Sequence, residues 1–165
     1  MDVPDELYGY CAVNQLPVTV HTNTGGFPPG SDWEYAGYAA PYYWQAVLDK
    51  HPTLRLDFAH FGNGNPEWTR QILDLMTRYP NVYADLACYT GKKDREEAWQ
   101  IWSRGGIIRD RLLFGTDFVV SSLTQVLSLE GYFAAFRDLF GPADLETLMT
   151  VNTRKFLQPI LPDTG

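Results

Sequence analysis

Three observations predict an α/β fold built on a parallel sheet. Four short apolar runs, near residues 18–22, 54–60, 82–87 and 111–117, alternate with stretches whose apolar residues recur at helical spacing. Strands that alternate with amphipathic helices imply helical crossovers between parallel neighbours. Three of the four runs also end on a side chain suited to metal binding or proton transfer, namely His21, His60 and Asp117. Parallel α/β sheets gather their chemistry at the carboxyl ends of the strands.

Each element has its own signal. Leu7 to Gln15 carries apolar residues at 7, 8, 11 and 12 and predicts a short helix, closed by Leu16-Pro17. Val18 to Thr22 is β-branched and reads as a buried strand. The Gly/Pro-rich stretch from Thr24 to Asp32 predicts a long loop beyond His21. Pro41 opens a helix over 40–50 with Tyr43, Trp44, Val47 and Leu48 on its apolar face. In the run Leu54 to His60, the period-two rule places Leu54, Leu56, Phe58 and His60 on one face and Arg55 and Asp57 on the other. Trp68, Ile72, Leu73, Met76 and Tyr79 give the clearest helix, over 66–79, stopped by Pro80-Asn81. Val82 to Ala87 is the third strand. Asp94 with Glu97 resembles a capping box for a helix reaching Ser103 and stopped by Gly105-Gly106. The fourth strand, 111–117, climbs through Leu112-Leu113-Phe114 to Gly115-Thr116-Asp117 and leaves through Phe118-Val119-Val120. Two helices close the chain, one carrying Tyr132 to Phe140 and the other Leu145 to Phe156.

Composition narrows the classes. A chain of 165 residues is one domain by length, and 45% hydrophobic with 20% charged residues describes an ordinary soluble globular protein. A net charge of −7 leaves no basic stripe to neutralise phosphates and argues against a nucleic-acid partner. No apolar run approaches the ~18 residues of a membrane span, and Met1 to Glu6 lacks a signal-peptide pattern. Cys11 and Cys88 are far apart without a CxxC, which fits reduced thiols and a cytoplasmic setting.

His21, His60 and Asp117, on separate strand ends, can converge within a few ångströms. Imidazole and carboxylate together suit Zn²⁺ or another first-row divalent ion, with Mn²⁺ as an option. A histidine not bound to metal could move a proton. The bland alternative is that each histidine closes a strand with local hydrogen bonds. Asp85, near the end of the third strand, either orients a histidine from behind or pairs with backbone amides of the next loop. Asp57 reads as the buried partner of a basic group, and His51 as a surface residue or helix C-cap. Gly25-Gly26 and Gly62-Asn63-Gly64 lack phosphate-loop spacing. Cys88 has no evident histidine partner, so a nucleophilic role is not assigned.

At these residues the chain resembles the amidohydrolase-related family (the amidohydrolase 2 group), whose members are metal-dependent TIM-barrel hydrolases and non-oxidative decarboxylases. Leu16 to Thr22 resembles the family's fifth-strand motif, His51 to Gly62 the sixth, and Tyr79 to Asp85 the seventh. Arg111 to Asp117 resembles the eighth strand, and Val151 to Phe156 the closing helix. The resemblance implies that His21 is a metal ligand, that Asp117 is a metal ligand or the group that binds the catalytic water, and that His60 is the general base or acid of decarboxylase-like members. It implies a divalent metal, a small carboxylated or cyclic substrate, and a single partial domain over 1–165.

The departure is as informative. The family's first strand supplies a His-x-His pair, and this sequence contains none. A full barrel takes about 250 residues and eight strands. The expectation is therefore the C-terminal half of a (β/α)8 barrel, about four β/α units, with two parallel sheet edges left open. A truncated gene product is the favoured explanation; an N-terminal-half partner chain or a homodimer that closes the barrel are the others. Two rival classes remain open: a noncatalytic assembly subunit, and a doubly wound α/β binding domain with helices on both faces of the sheet.

Overall fold

The computed structural model describes residues 5–24, 36–89, 91–117 and 128–158. Most of the loop expected beyond Thr24, and the expected strand exit at 118–120, lie outside these residues. The described elements run α1 (Asp5–Val13), β1 (Val18–His21), α2 (Trp44–Lys50), β2 (Leu56–Ala59), α3 (Pro66–Arg78), β3 (Val82–Asp85), α4 (Lys92–Ser103), α5 (Ile107–Arg111), β4 (Leu112–Leu113), α6 (Leu129–Glu146) and α7 (Asn152–Leu157).

The four strands pair in chain order, β1-β2-β3-β4, and every pair is parallel. A doubly wound sheet reverses its order at a switch point; this one does not. Crossovers of one hand between successive neighbours lay their helices on one face. Accordingly Val20, Phe58, Ala84 and Leu112, which share one register row, pack against Leu48 of α2, Ile72 and Met76 of α3, Trp102 of α4 and Phe136 of α6. The doubly wound reading is thereby overturned, and the architecture is that of a partial TIM barrel.

The other face carries Thr19, Asp57 and Tyr83 in one row and Leu113 beside Asp85. There Tyr83 and Leu113 are covered by Phe156 and Leu157 from α7. Two polar contacts pin that helix. Buried Asn152 donates through Nδ2 to Leu112 O at 2.9 Å and to Arg109 O at 2.7 Å. Arg55, just before β2, donates to Lys155 O at 2.6 Å and Phe156 O at 2.9 Å, which gives it a role as a cap on the final carbonyls.

Local departures from the predicted elements have local causes. α3 starts where expected, with the Asn65 side chain accepting from Trp68 N at 3.3 Å and Pro66 in the first turn. In α4 the capping residue is displaced: Asp94 lies inside the first turn and accepts from Gly91 N at 2.9 Å, so the helix begins at Lys92. Residues 107–111 form a helical turn that takes in Arg111, expected as the first residue of the fourth strand, which donates to Tyr79 O at 2.8 Å; the strand itself is Leu112–Leu113. Between the closing helices the break falls at Gly141 (φ 74°) and Pro142, and a π turn at Thr147–Val151 divides the second of them. His51 is the C-cap of α2 and meets Asp5 at 2.9 Å.

Candidate functional site

The site is built at the carboxyl ends of the strands. β1 delivers His21 as its last residue. β2 ends at Ala59, and His60 follows in a tight turn, 6% exposed, with φ 71°. β3 ends at Asp85 and runs on through Leu86 and Ala87 to Cys88, at φ 64°. Beyond β4 the chain continues to Asp117, at φ 47°. Four non-glycine residues at positive φ, His60 and Phe61 beyond β2, Cys88 beyond β3 and Asp117 beyond β4, are an expensive arrangement that surrounding contacts must hold.

Two glycines permit this packing. A Cβ on Gly62 (φ 68°) would lie 2.8 Å from Thr69 N, so the turn after His60 can close on α3 only without a side chain. A Cβ on Gly115 would meet the Ala87 Cβ at 3.0 Å and Asp85 Cγ at 3.2 Å. The bare backbone there lets the exit of β4 press against the exit of β3 and brings Asp117 beside Cys88.

His21 and His60 form a linked pair. His60 Nε2 lies 3.1 Å from His21 Nδ1, with the rings edge to face. The outer nitrogen of each ring meets a carbonyl: His21 Nε2 lies 2.9 Å from Asn23 O, and His60 Nδ1 lies 3.3 Å from Ala87 O. A carbonyl can only accept, so those two nitrogens are the N–H donors. In that tautomer the two nitrogens that face each other, 3.1 Å apart, both offer lone pairs suited to a cation. Partial burial, followed by the neighbouring His60 ring, lowers the pKa of His21, opposed by the Asn23 carbonyl and Asp117.

Asp117 meets Cys88. Cys88 Sγ donates to Asp117 Oδ2 at 3.0 Å. Burial, then the Asp117 carboxylate, pushes the Cys88 thiol well up, so the proton stays on sulfur. Ligand atoms of His60, Cys88 and Asp117 all lie within 4.8 Å of one another. Sequence reasoning gave Cys88 no role. Its available signal was positional: it follows a strand end, as the other three residues do.

Behind this cluster, Asp85 accepts from His60 N at 2.9 Å and from Ala87 N at 2.8 Å through one oxygen. It thus ties the turn after β2 to the turn after β3. Both contacts are to backbone amides, as the bland expectation for Asp85 has it, and one of those amides is that of His60. Asp57 corrects its expectation. Its partners are Thr19, whose hydroxyl donates to Oδ2 at 3.2 Å, and the Asp85 carboxyl, rather than a basic group. Burial and the Asp85 charge push the pKa of Asp57 well up. Asp57 Oδ1 is buried with no donor aimed at it, and a proton carried there and directed at Asp85 satisfies both carboxyls. Burial also raises Asp85, against the pull of its two backbone amides.

A separate groove of about 590 Å³ lies between α3 and α4, lined by Arg70, Lys93, Glu96, Glu97 and Arg104 among others. None of the strand-end residues reaches it. No helix among the described residues is long and apolar enough to cross a membrane.

Comparison with known proteins joins this geometry to a family. The amidohydrolase family model matches residues 1–158. Among solved structures, an uncharacterized TIM-barrel protein from Bordetella bronchiseptica matches with TM-score 0.69 and 25% identity over 93% of this chain and 50% of its own. An amidohydrolase 2 protein from Bifidobacterium longum subsp. infantis matches with TM-score 0.65 and 15% identity, over 96% of this chain and 56% of its own. A proposed 2-pyrone-4,6-dicarboxylic acid hydrolase from Pseudomonas putida matches with TM-score 0.62 and 16% identity, over 98% and 70%. The chain spans about half the length of the first two. Comparison with curated proteins finds no match.

Proposed function

The chain belongs to the amidohydrolase family, and from that premise we propose that it carries the second-half site of a metal-dependent hydrolase or non-oxidative decarboxylase. The substrate class is a small carboxylated or cyclic molecule. The observation that supports the reading is the pairing of His21 with His60 at neighbouring strand ends, Nδ1 to Nε2 at 3.1 Å, with Asp117 beyond β4 offering a ligand atom within 4.8 Å of one on His60.

The donor set fits a divalent metal. Imidazole nitrogens and a carboxylate are ordinary ligands for Zn²⁺, with Mn²⁺ as the alternative. Both rings fix their outer nitrogen on a backbone carbonyl, as ligating histidines usually do. When bound, such an ion polarises a carbonyl and lowers the pKa of water. His21 and Asp117 would hold it, and Asp117 would also orient the attacking water. His60 would take or give the proton at Nε2. Asp85 acts from behind, keeping the His60 backbone in its left-handed turn. Two unpaired cysteines support a cytosolic setting.

Among the described residues, no strand pairs with the outer edge of β1 or of β4. This favours a second reading for the isolated chain, as an assembly subunit that pairs along those edges with a complementary half-barrel or a second copy. The test is metal content of the purified chain and of His21→Ala, followed by hydrolysis and CO2-release assays with a complementary half supplied. Near-stoichiometric zinc or manganese, lost in the variant, is expected. A metal-free chain that stays inert with the complementary half supplied overturns the catalytic reading.

A further inference from the structure

We propose that Cys88 is a metal ligand, and that His60, Cys88 and Asp117 together form a zinc-selective site that this chain assembles from its own strand ends. The inference rests on the function above but assigns His60 differently, as a ligand of the resting site instead of the proton carrier, with His21 as the fourth donor 3.1 Å from His60 Nε2. It concerns the ion the chain holds rather than the reaction.

Geometry supports it first. Ligand bonds of about 2.0–2.3 Å place neighbouring donors on a tetrahedron about 3.3–3.8 Å apart. Sγ and Oδ2 stand 3.0 Å apart and all three ligand atoms lie within 4.8 Å, so small side-chain rotations close the set. The three residues come from three different strand ends, which the sheet register and the bare Gly115 backbone hold together. His60 already rests one ring nitrogen near Ala87 O.

Charge supports it next. A neutral imidazole, a thiolate and a carboxylate sum to two negative charges, which a divalent cation cancels. Entry of the ion breaks the S–H bond, forms a metal–sulfur bond and releases one proton to solvent, with no change in oxidation state. A soft thiolate favours Zn²⁺ or Co²⁺ over Mn²⁺, so the site also selects the metal.

Co²⁺ is the probe. Titrated into the reduced full chain, it is expected to bind one ion per chain and to give the near-ultraviolet sulfur-to-cobalt charge-transfer band. Cys88→Ser, close in size and still able to donate to Asp117, is expected to lose the band; Cys11→Ser is expected to keep it. In the wild-type chain, Zn²⁺ is expected to protect Cys88 from alkylation, a readout that needs no variant to fold. Binding without the band, a band that survives Cys88→Ser, or no protection of Cys88 overturns the proposal. Bound Co²⁺ that lacks the band yet is lost in His21→Ala would remove Cys88 and leave the proposed function standing. Absence of any bound ion overturns this proposal on its own terms.

Discussion

The two faces of the sheet are built to different rules. On the helix side, Phe58, Ala84 and Leu112 stand in one row, fully or almost fully buried beneath Ile72, Met76, Trp102 and Phe136. Nothing polar interrupts that row, and its energy comes from area removed from water and from close packing. One residue along each strand, the opposite face carries Thr19, Asp57 and Asp85, and at its end His21. There each buried polar group must find a partner, and the partners chain together: Thr19 to Asp57, Asp57 to Asp85, Asp85 to the amides of His60 and Ala87. One face sets stability. The other stores polar cost and backbone strain at the place where chemistry belongs.

This contrast can be broken at graded cost. The largest loss is expected from Phe136→Ala, which empties the space between Tyr132 and Phe140 on the helix side. About 3–5 kcal/mol should disappear from urea denaturation, with the polar face chemically untouched. Asp85→Ala should follow at about 3 kcal/mol, because it leaves two amides without their charged acceptor. Asp85→Asn, whose carbonyl oxygen can still accept both, should cost less; equal losses would mean that the tie between the two turns is unimportant.

Asp57→Asn tests the buried carboxyl pair through pH. The folded pKa of Asp57 is raised above its ordinary 3.8. Its contribution is therefore fully present below that value and is lost as pH rises through the raised folded value. The asparagine does not titrate, so the variant should gain on the wild type in thermal melts as pH rises from about 4 through the raised folded value. A constant difference would sink the pairing. The smallest stability effect is expected at His21→Ala, within about 0.5 kcal/mol near neutral pH, since His21 ends an edge strand at the rim. The lowered pKa of His21 gives a contribution present above its ordinary 6.5 and lost as pH falls through the depressed value. The variant should therefore lack that acid-side decline, while its metal binding falls sharply.

Much of this was legible in the residues. Four apolar runs separated by amphipathic stretches were enough to imply parallel strands, and the order of the motifs implied the second half of a barrel. The ends of β1 and β2 were readable because a histidine following an apolar run is conspicuous. Less was readable where contact, rather than pattern, decides. Arg111 looked like a strand residue until its guanidinium was found on the Tyr79 carbonyl. Asp94 looked like a cap but works from within the first turn.

The sequence alone determined which residues are apolar, at what period, and which chemical groups stand just beyond each run. Those properties are local, and the pleat and the helical repeat translate them directly into faces and strand ends. Only the tertiary structure decided that Asp57 answers to Asp85 rather than to a cation, and that Cys88 lies against Asp117 and near His60. Such pairings depend on the register between strands far apart in the chain. They depend also on a glycine small enough to let two turns touch. No local pattern encodes either distance, because each is set by how neighbouring strands stack rather than by what either strand contains.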